Sequence, residues 1–171
     1  MINKKLYYLW GLFPPKEIEY LNFIKDKVQS KLISPCFDLH ITLAGPYLNI
    51  DKTFISKLKS FGETNSSIIL IVDGYRFEQE RFKSFYISIK HTLNLKELRK
   101  NISKLKKFDL DNHYSPHISL CYGHHQIEEK KKLILKLPKF SKLIRVSKIA
   151  LVEINEDINQ WEIQESFDLI N

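Results

Sequence analysis

Apolar residues recur along this chain with two periods, and the switching between them lays out the elements in order. Residues 6–13 alternate aromatic and aliphatic side chains, the period of a strand, and Pro14 and Pro15 stop it. Ile18, Leu21, Ile24, Val28 and Leu32 then recur at helical spacing against Lys, Glu and Asp. Pro15 suits the first turn of that helix and Ser34-Pro35 ends it. A shorter helix is expected over 52–61, burying Phe54, Leu58 and Phe61, with turn-forming residues at 62–66. Residues 67–77 give a strand whose apolar run at 68–72 reads as covered on both faces. Residues 85–90 alternate cleanly and pair with it as a hairpin through 78–83. Leu95, Leu98, Ile102 and Leu105 mark a third helix. A fourth, over 127–137, places Glu128 and Glu129 ahead of its lysines, which suits the helix dipole. The tail reads as one more hairpin, 143–154 and 160–169, turning at 155–159.

Two further strands carry the candidate chemistry. The stretch 37–45 contains His40-Ile41-Thr42-Leu43, closed by Gly45-Pro46, and the stretch 114–122 contains His117-Ile118-Ser119-Leu120. Residues two apart on a strand share a face, so His40 and Thr42 point together, as do His117 and Ser119, while the aliphatic residues turn to a core. By the same parity Ala44 and Cys121 fall on the functional face as small spacers. Each half of the chain thus holds a helix, a motif strand, a shorter helix and a hairpin. No Gly/Pro/Ser-rich linker divides the halves, so they are expected to pack as two lobes of one domain, residues 1–171, with His40 and His117 meeting across a groove.

Composition narrows this picture. A 171-residue chain with 43% hydrophobic content can bury a core. No apolar run reaches the ~18–20 residues that span a bilayer, and the start lacks a signal-peptide pattern. The expected setting is the cytoplasm, without membrane association. Cys36 and Cys121 make no disulfide framework. His113, His117, Cys121, His124 and His125 crowd one stretch, but Ser115-Pro116 breaks the helix that HxxxH metal spacing needs, so no metal site is assigned. The net charge of +7 favours anionic partners. Its lysines and Arg99 read as solvated helix faces, and His113, His124 and His125 as exposed loop residues.

Two histidines with pKa values near ~6.5 can divide general base and general acid work near neutral pH. Thr42 and Ser119 can donate hydroxyls to phosphoryl oxygens. The set needs no side-chain nucleophile and no cofactor, which suits phosphodiester cleavage with a bell-shaped rate profile centred between about pH 6 and 7.5.

This pair of motifs resembles the signature of the two-histidine (2H) phosphoesterase superfamily, one His-x-Thr/Ser-x motif per lobe, and the resemblance covers nearly the whole chain. It is most similar to the cyclic phosphodiesterase branch, where an aromatic-rich first strand carries a Trp, matched by Trp10, and a Tyr follows the second hydroxyl residue by three, matched by Tyr122. The 2′-5′ RNA ligase-like branch is also similar. The resemblance implies an α+β bilobal fold, two pseudo-symmetric lobes of antiparallel sheet with outer helices and a central groove. It implies metal-independent hydrolysis of cyclic or 2′-linked phosphodiesters, with His40 and His117 catalytic, Thr42 and Ser119 phosphate-binding, and Trp10 and Tyr122 substrate-binding. The expected partner is a small nucleotide or RNA end, acted on by a monomer with no obligate protein partner. Degradation of cyclic or 2′,5′-linked oligonucleotide immune signals is a second reading. A non-catalytic RNA-binding module is a third.

Overall fold

The computed structural model describes residues 5–110, 113–139 and 143–171; the charged residues Lys4 and Lys142 lie outside them. The elements run β1 (Leu6–Leu12), α1 (Pro15–Gln29), β2 (Ile41–Tyr47), α2 (Lys52–Thr64), β3 (Ile68–Phe77), β4 (Phe85–Ile89), α3 (Leu93–Leu105), β5 (His117–Cys121), α4 (Ile127–Ile134), β6 (Leu143–Val146), β7 (Lys148–Ile154) and β8 (Glu162–Asp168). The eight strands form one curled antiparallel sheet in the order β6-β3-β4-β5-β2-β1-β7-β8. The lobes are therefore its two four-stranded halves, and the motif strands β5 and β2 lie side by side at its centre. The first half's hairpin, β3-β4, flanks the second motif strand, so the two halves of the sequence are interleaved.

One face of the sheet is covered by helices. Ile41, Leu43, Ile118 and Leu120 join Leu21, Ile24 and Val28 of α1, Leu58 of α2 and Ile102 of α3 in the main core. This matches the expected inward aliphatic positions. Each such fully buried aliphatic side chain contributes about 1.5–3 kcal/mol relative to exposure. Asp51 and Thr92 cap α2 and α3, accepting from the backbone N–H groups of Phe54 and Leu95.

Four sequence expectations change. Helix α2 runs through Gly62 to Thr64; a Cβ at Gly62 would stand 2.6 Å from the Asp168 carbonyl, so the glycine serves that close packing and does not end the helix. The β2 strand begins only at Ile41, so residues 37–40 lie outside it, and it continues through Gly45-Pro46 to Tyr47 instead of closing there. Strand β3 is covered on one face only, with Leu70 buried and Ile69 exposed. The single strand expected at 143–154 breaks at Ser147 into β6, which pairs with β3, and β7, which pairs with β1. The lysine-rich helices are also not wholly solvated. Arg99 and Lys130 are buried, and each donates to a main-chain carbonyl, of Leu43 and Glu78 respectively.

Candidate active site

Strands β2 and β5 touch in register at one pair, Ile41 opposite Ile118. Because the strands run antiparallel, this register directs His40 toward Ser119 and Thr42 toward His117, each histidine beside the other motif's hydroxyl. Beyond that pair the strands separate, which leaves carbonyls without ladder partners. Side chains take them. Tyr114 Oη donates to the Thr42 carbonyl at 2.7 Å and Arg99 Nε to the Leu43 carbonyl at 2.8 Å. Gln29 Nε2 donates to the Leu120 carbonyl at 3.1 Å. The motif strands are thereby fixed where the sheet alone would not hold them.

Both histidines are anchored identically. His40 Nδ1 lies 2.7 Å from the Asp38 carbonyl, and His117 Nδ1 lies 2.7 Å from the Ser115 carbonyl. A carbonyl only accepts, so each Nδ1 carries the hydrogen and each Nε2 is left to act on a ligand. His40, His117, Thr42 and Ser119 line one cavity of about 290 Å³ with Tyr8, Trp10, Phe82, Tyr122 and Trp161. A second cavity of about 320 Å³ adjoins it at Thr42 and His117 and adds Lys83, His113, Tyr114 and Ser115.

The aromatic wall is ordered around His40. Trp10, 2% exposed, stacks flat on the imidazole with centroids 3.6 Å apart and planes at 4°. Its Nε1 is buried and has no hydrogen-bond partner among the described residues. Tyr122 packs on Phe37 at 4.1 Å and shares a hydrogen bond with Ser119. Burial pushes its phenol up to about 12, so it stays protonated. Trp161 and Phe82 lie nearly parallel, 6.1 Å apart, and Trp161 Nε1 donates to the Asn155 carbonyl.

Electrostatically the two histidines differ. Burial pushes His40 down to about 3, and the charges of His117 and Lys25 add to this against the Asp38 carbonyl. Burial also lowers His117, with Lys83 adding, but the Ser115 carbonyl, Glu78 and Glu80 oppose it. The expectation of unperturbed values near ~6.5 is therefore replaced by two lowered, unequal ones.

The six site residues anticipated from sequence all line the first cavity. Ala44 and Cys121 do not. In β2 the register against β1 slips between Thr42 and Ala44, and in β5 the register against β4 slips between Ser119 and Cys121. A bulge one residue past each hydroxyl flips the parity, so both small residues turn into the core and Tyr122 swings to the groove. Gly45 and Gly123 then follow with φ of 118° and 117°, a region that suits glycine. His125 is not a loose loop residue, since it bridges Ser84 Oγ at 3.1 Å and the Ile33 carbonyl at 2.7 Å. His113 lines the second cavity. Sequence reasoning missed Phe82, Lys83, Trp161 and the buried Lys25. For the first two a signal existed, an aromatic between two cations in a hairpin turn. Among the described residues, no cluster of three or more His, Cys, Asp or Glu is placed to hold a metal ion. No helix among them is long and apolar enough to cross a membrane.

The sequence matches no family model and no curated protein. Solved structures do match. Escherichia coli LigT in its apo form superposes with a TM-score of 0.65 at 14% identity, covering 99% of both chains. A protein described as a phosphoesterase gives 0.63 at 14% identity over 98% of this chain and 99% of that one. TT0787 of Thermus thermophilus gives 0.62 at 13% over 96% and 97%. Across its whole length, this chain has the fold of LigT.

Proposed function

We propose that this protein is a 2H-type, metal-independent phosphodiesterase that opens cyclic or 2′-linked phosphodiesters of nucleotides or RNA ends. The observation that carries the reading is the convergence of both motifs on one cavity, with each Nδ1 committed to a carbonyl and each Nε2 left for a ligand.

His40 is the general base. Its ring is covered by Trp10, lies near buried Lys25 and is neutral across the physiological range, so Nε2 can take a proton from water. The water oxygen attacks phosphorus as the bond to the leaving oxygen breaks. His117, faced by Glu78 and Glu80, is the acid and gives its Nε2 proton to that oxygen. Water is added across the P–O bond and the two histidines exchange protonation states, to be reset through solvent. Thr42 and Ser119 donate to the phosphoryl oxygens, where extra charge collects in the transition state.

The aromatic wall suits a nucleoside, offering ring faces for a base. LigT, which shares the fold, has been crystallised with 3′-AMP, ATP and NADP+. A panel of 2′,3′-cyclic mononucleotides, 2′,5′-linked oligoadenylate and 3′,5′-cyclic oligonucleotides, assayed in EDTA, tests the reading. Turnover of at least one of the first two is expected. Strict metal dependence, or no turnover of any, overturns it.

A further inference from the structure

The hairpin between β3 and β4 carries a charge network that the paired-histidine reading does not use. Lys83, in the 3₁₀ turn Arg81–Lys83, keeps only 18% of its side-chain surface exposed and lines the cavity wall with Thr42 and His117. Its ammonium lies 2.6 Å from Glu78 Oε1, and the Tyr86 hydroxyl donates to the same oxygen at 2.6 Å. Burial works against the Glu78 charge, yet these two hydrogen bonds hold its carboxyl below the usual range. The Tyr86 ring packs edge-on to His117 at 5.1 Å, and Lys83 lies over that ring at 5.1 Å. The loop itself is tethered from behind. Lys130, wholly buried on α4, donates to the Glu78 carbonyl at 2.7 Å.

A lysine pairing with a carboxylate for its own sake does better outside, in water, where both charges are solvated at no cost. Here the pair is drawn in against a catalytic histidine, and Glu78 takes only one of the three ammonium protons. Thr42 and Ser119 are neutral donors. A phosphodiester is an anion, and it gains charge at its phosphoryl oxygens as water attacks.

We propose that Lys83, aimed by Glu78 and Tyr86, binds a phosphoryl oxygen of the substrate beside Thr42 and supplies a full positive charge to that site. The proposal rests on the phosphodiesterase reading but is tested without turnover. Binding of adenosine 2′-monophosphate and of adenosine is measured by calorimetry for the wild type, Lys83→Met, Lys83→Gln and Lys83→Arg. Loss of a charge-assisted contact should weaken the nucleotide about tenfold or more in the Met and Gln variants, leave adenosine unchanged, and be largely restored by Arg. An unchanged ratio of nucleotide to nucleoside affinity in both neutral variants overturns the proposal. So does an Arg variant as impaired as Met, or a wild type that does not bind the nucleotide. A wild type that binds the nucleotide through Lys83 but turns over no diester sinks the enzymatic reading alone.

Discussion

The two motifs match in spelling, strand placement, bulge and Nδ1 anchor, but they sit in opposite surroundings. His40 is 7% exposed, covered by the Trp10 ring and within the field of Lys25, a buried cation whose ammonium donates to the Phe37 carbonyl. His117 is more open and faces Glu78, Glu80 and Lys83 from the hairpin turn and Tyr86 from β4. A pseudo-symmetric pair would have two equivalent rings and no reason to divide labour. Burial and a cation on one side, with carboxylates on the other, break that equivalence. They favour a neutral His40 and allow a protonated His117.

The largest expected effect tests whether the pair acts as a unit. His40→Ala and His117→Ala should each lower kcat by about 10²–10⁴, and the double variant should be little worse than either single one. Retention of more than a tenth of the rate by either variant would break the comparison. The two replacements should differ in stability. Between the unfolded pKa of ~6.5 and the folded value of about 3, unfolded His40 binds a proton that the folded ring refuses. Stability is therefore complete above pH ~6.5 and falls as pH drops through that window, by up to roughly 5 kcal/mol. Denaturant titrations at several pH values should show this slope in the wild type and a shallower one in His40→Ala.

Next in size are the hydroxyls. Thr42→Val and Ser119→Ala should each cost about 10–10³ in kcat with intact secondary structure. The register places Thr42 by His117 and Ser119 by His40. Because Ser119 also shares a hydrogen bond with Tyr122, its loss should additionally disturb the aromatic wall and raise KM. Steady-state kinetics on the two variants separates these roles, and equal KM values would show the hydroxyls to be interchangeable.

Local periodicity was enough to recover the helices, both motif strands and the shared face of each His-x-Thr/Ser pair. Those features depend on residues a few positions apart. The bulges at Leu43–Ala44 and Leu120–Cys121 were not legible, because a bulge is a property of the pairing with β1 and β4 and not of the strand alone. Trp161 read as one more member of an alternating strand, yet it follows a 3₁₀ turn and reaches the groove from the far end of the chain. Lys25 read as part of the polar face of α1. Its burial follows from the path of residues 34–40 over that helix, and only the tertiary contact with Phe37 reveals it.

The smallest effects are the most specific, because they move one limb of a pH profile each. The kcat/KM profile reports the uncomplexed protein, in which both imidazoles are lowered, so its optimum should lie on the acid side of about pH 6.5. Trp10→Phe thins the cover over His40. Water then reaches the ring, its pKa rises, and the acidic limb moves to higher pH. Glu78→Gln removes a charge that raises His117, so the alkaline limb moves to lower pH. Each variant should change the rate at its own optimum by less than about tenfold, since neither removes a proton-transfer group. If the assignment of base and acid is right, the two substitutions narrow the bell from opposite sides. Shifts on the same limb would mean that the two histidines exchange roles freely, and that their unequal surroundings do not set the direction of proton flow.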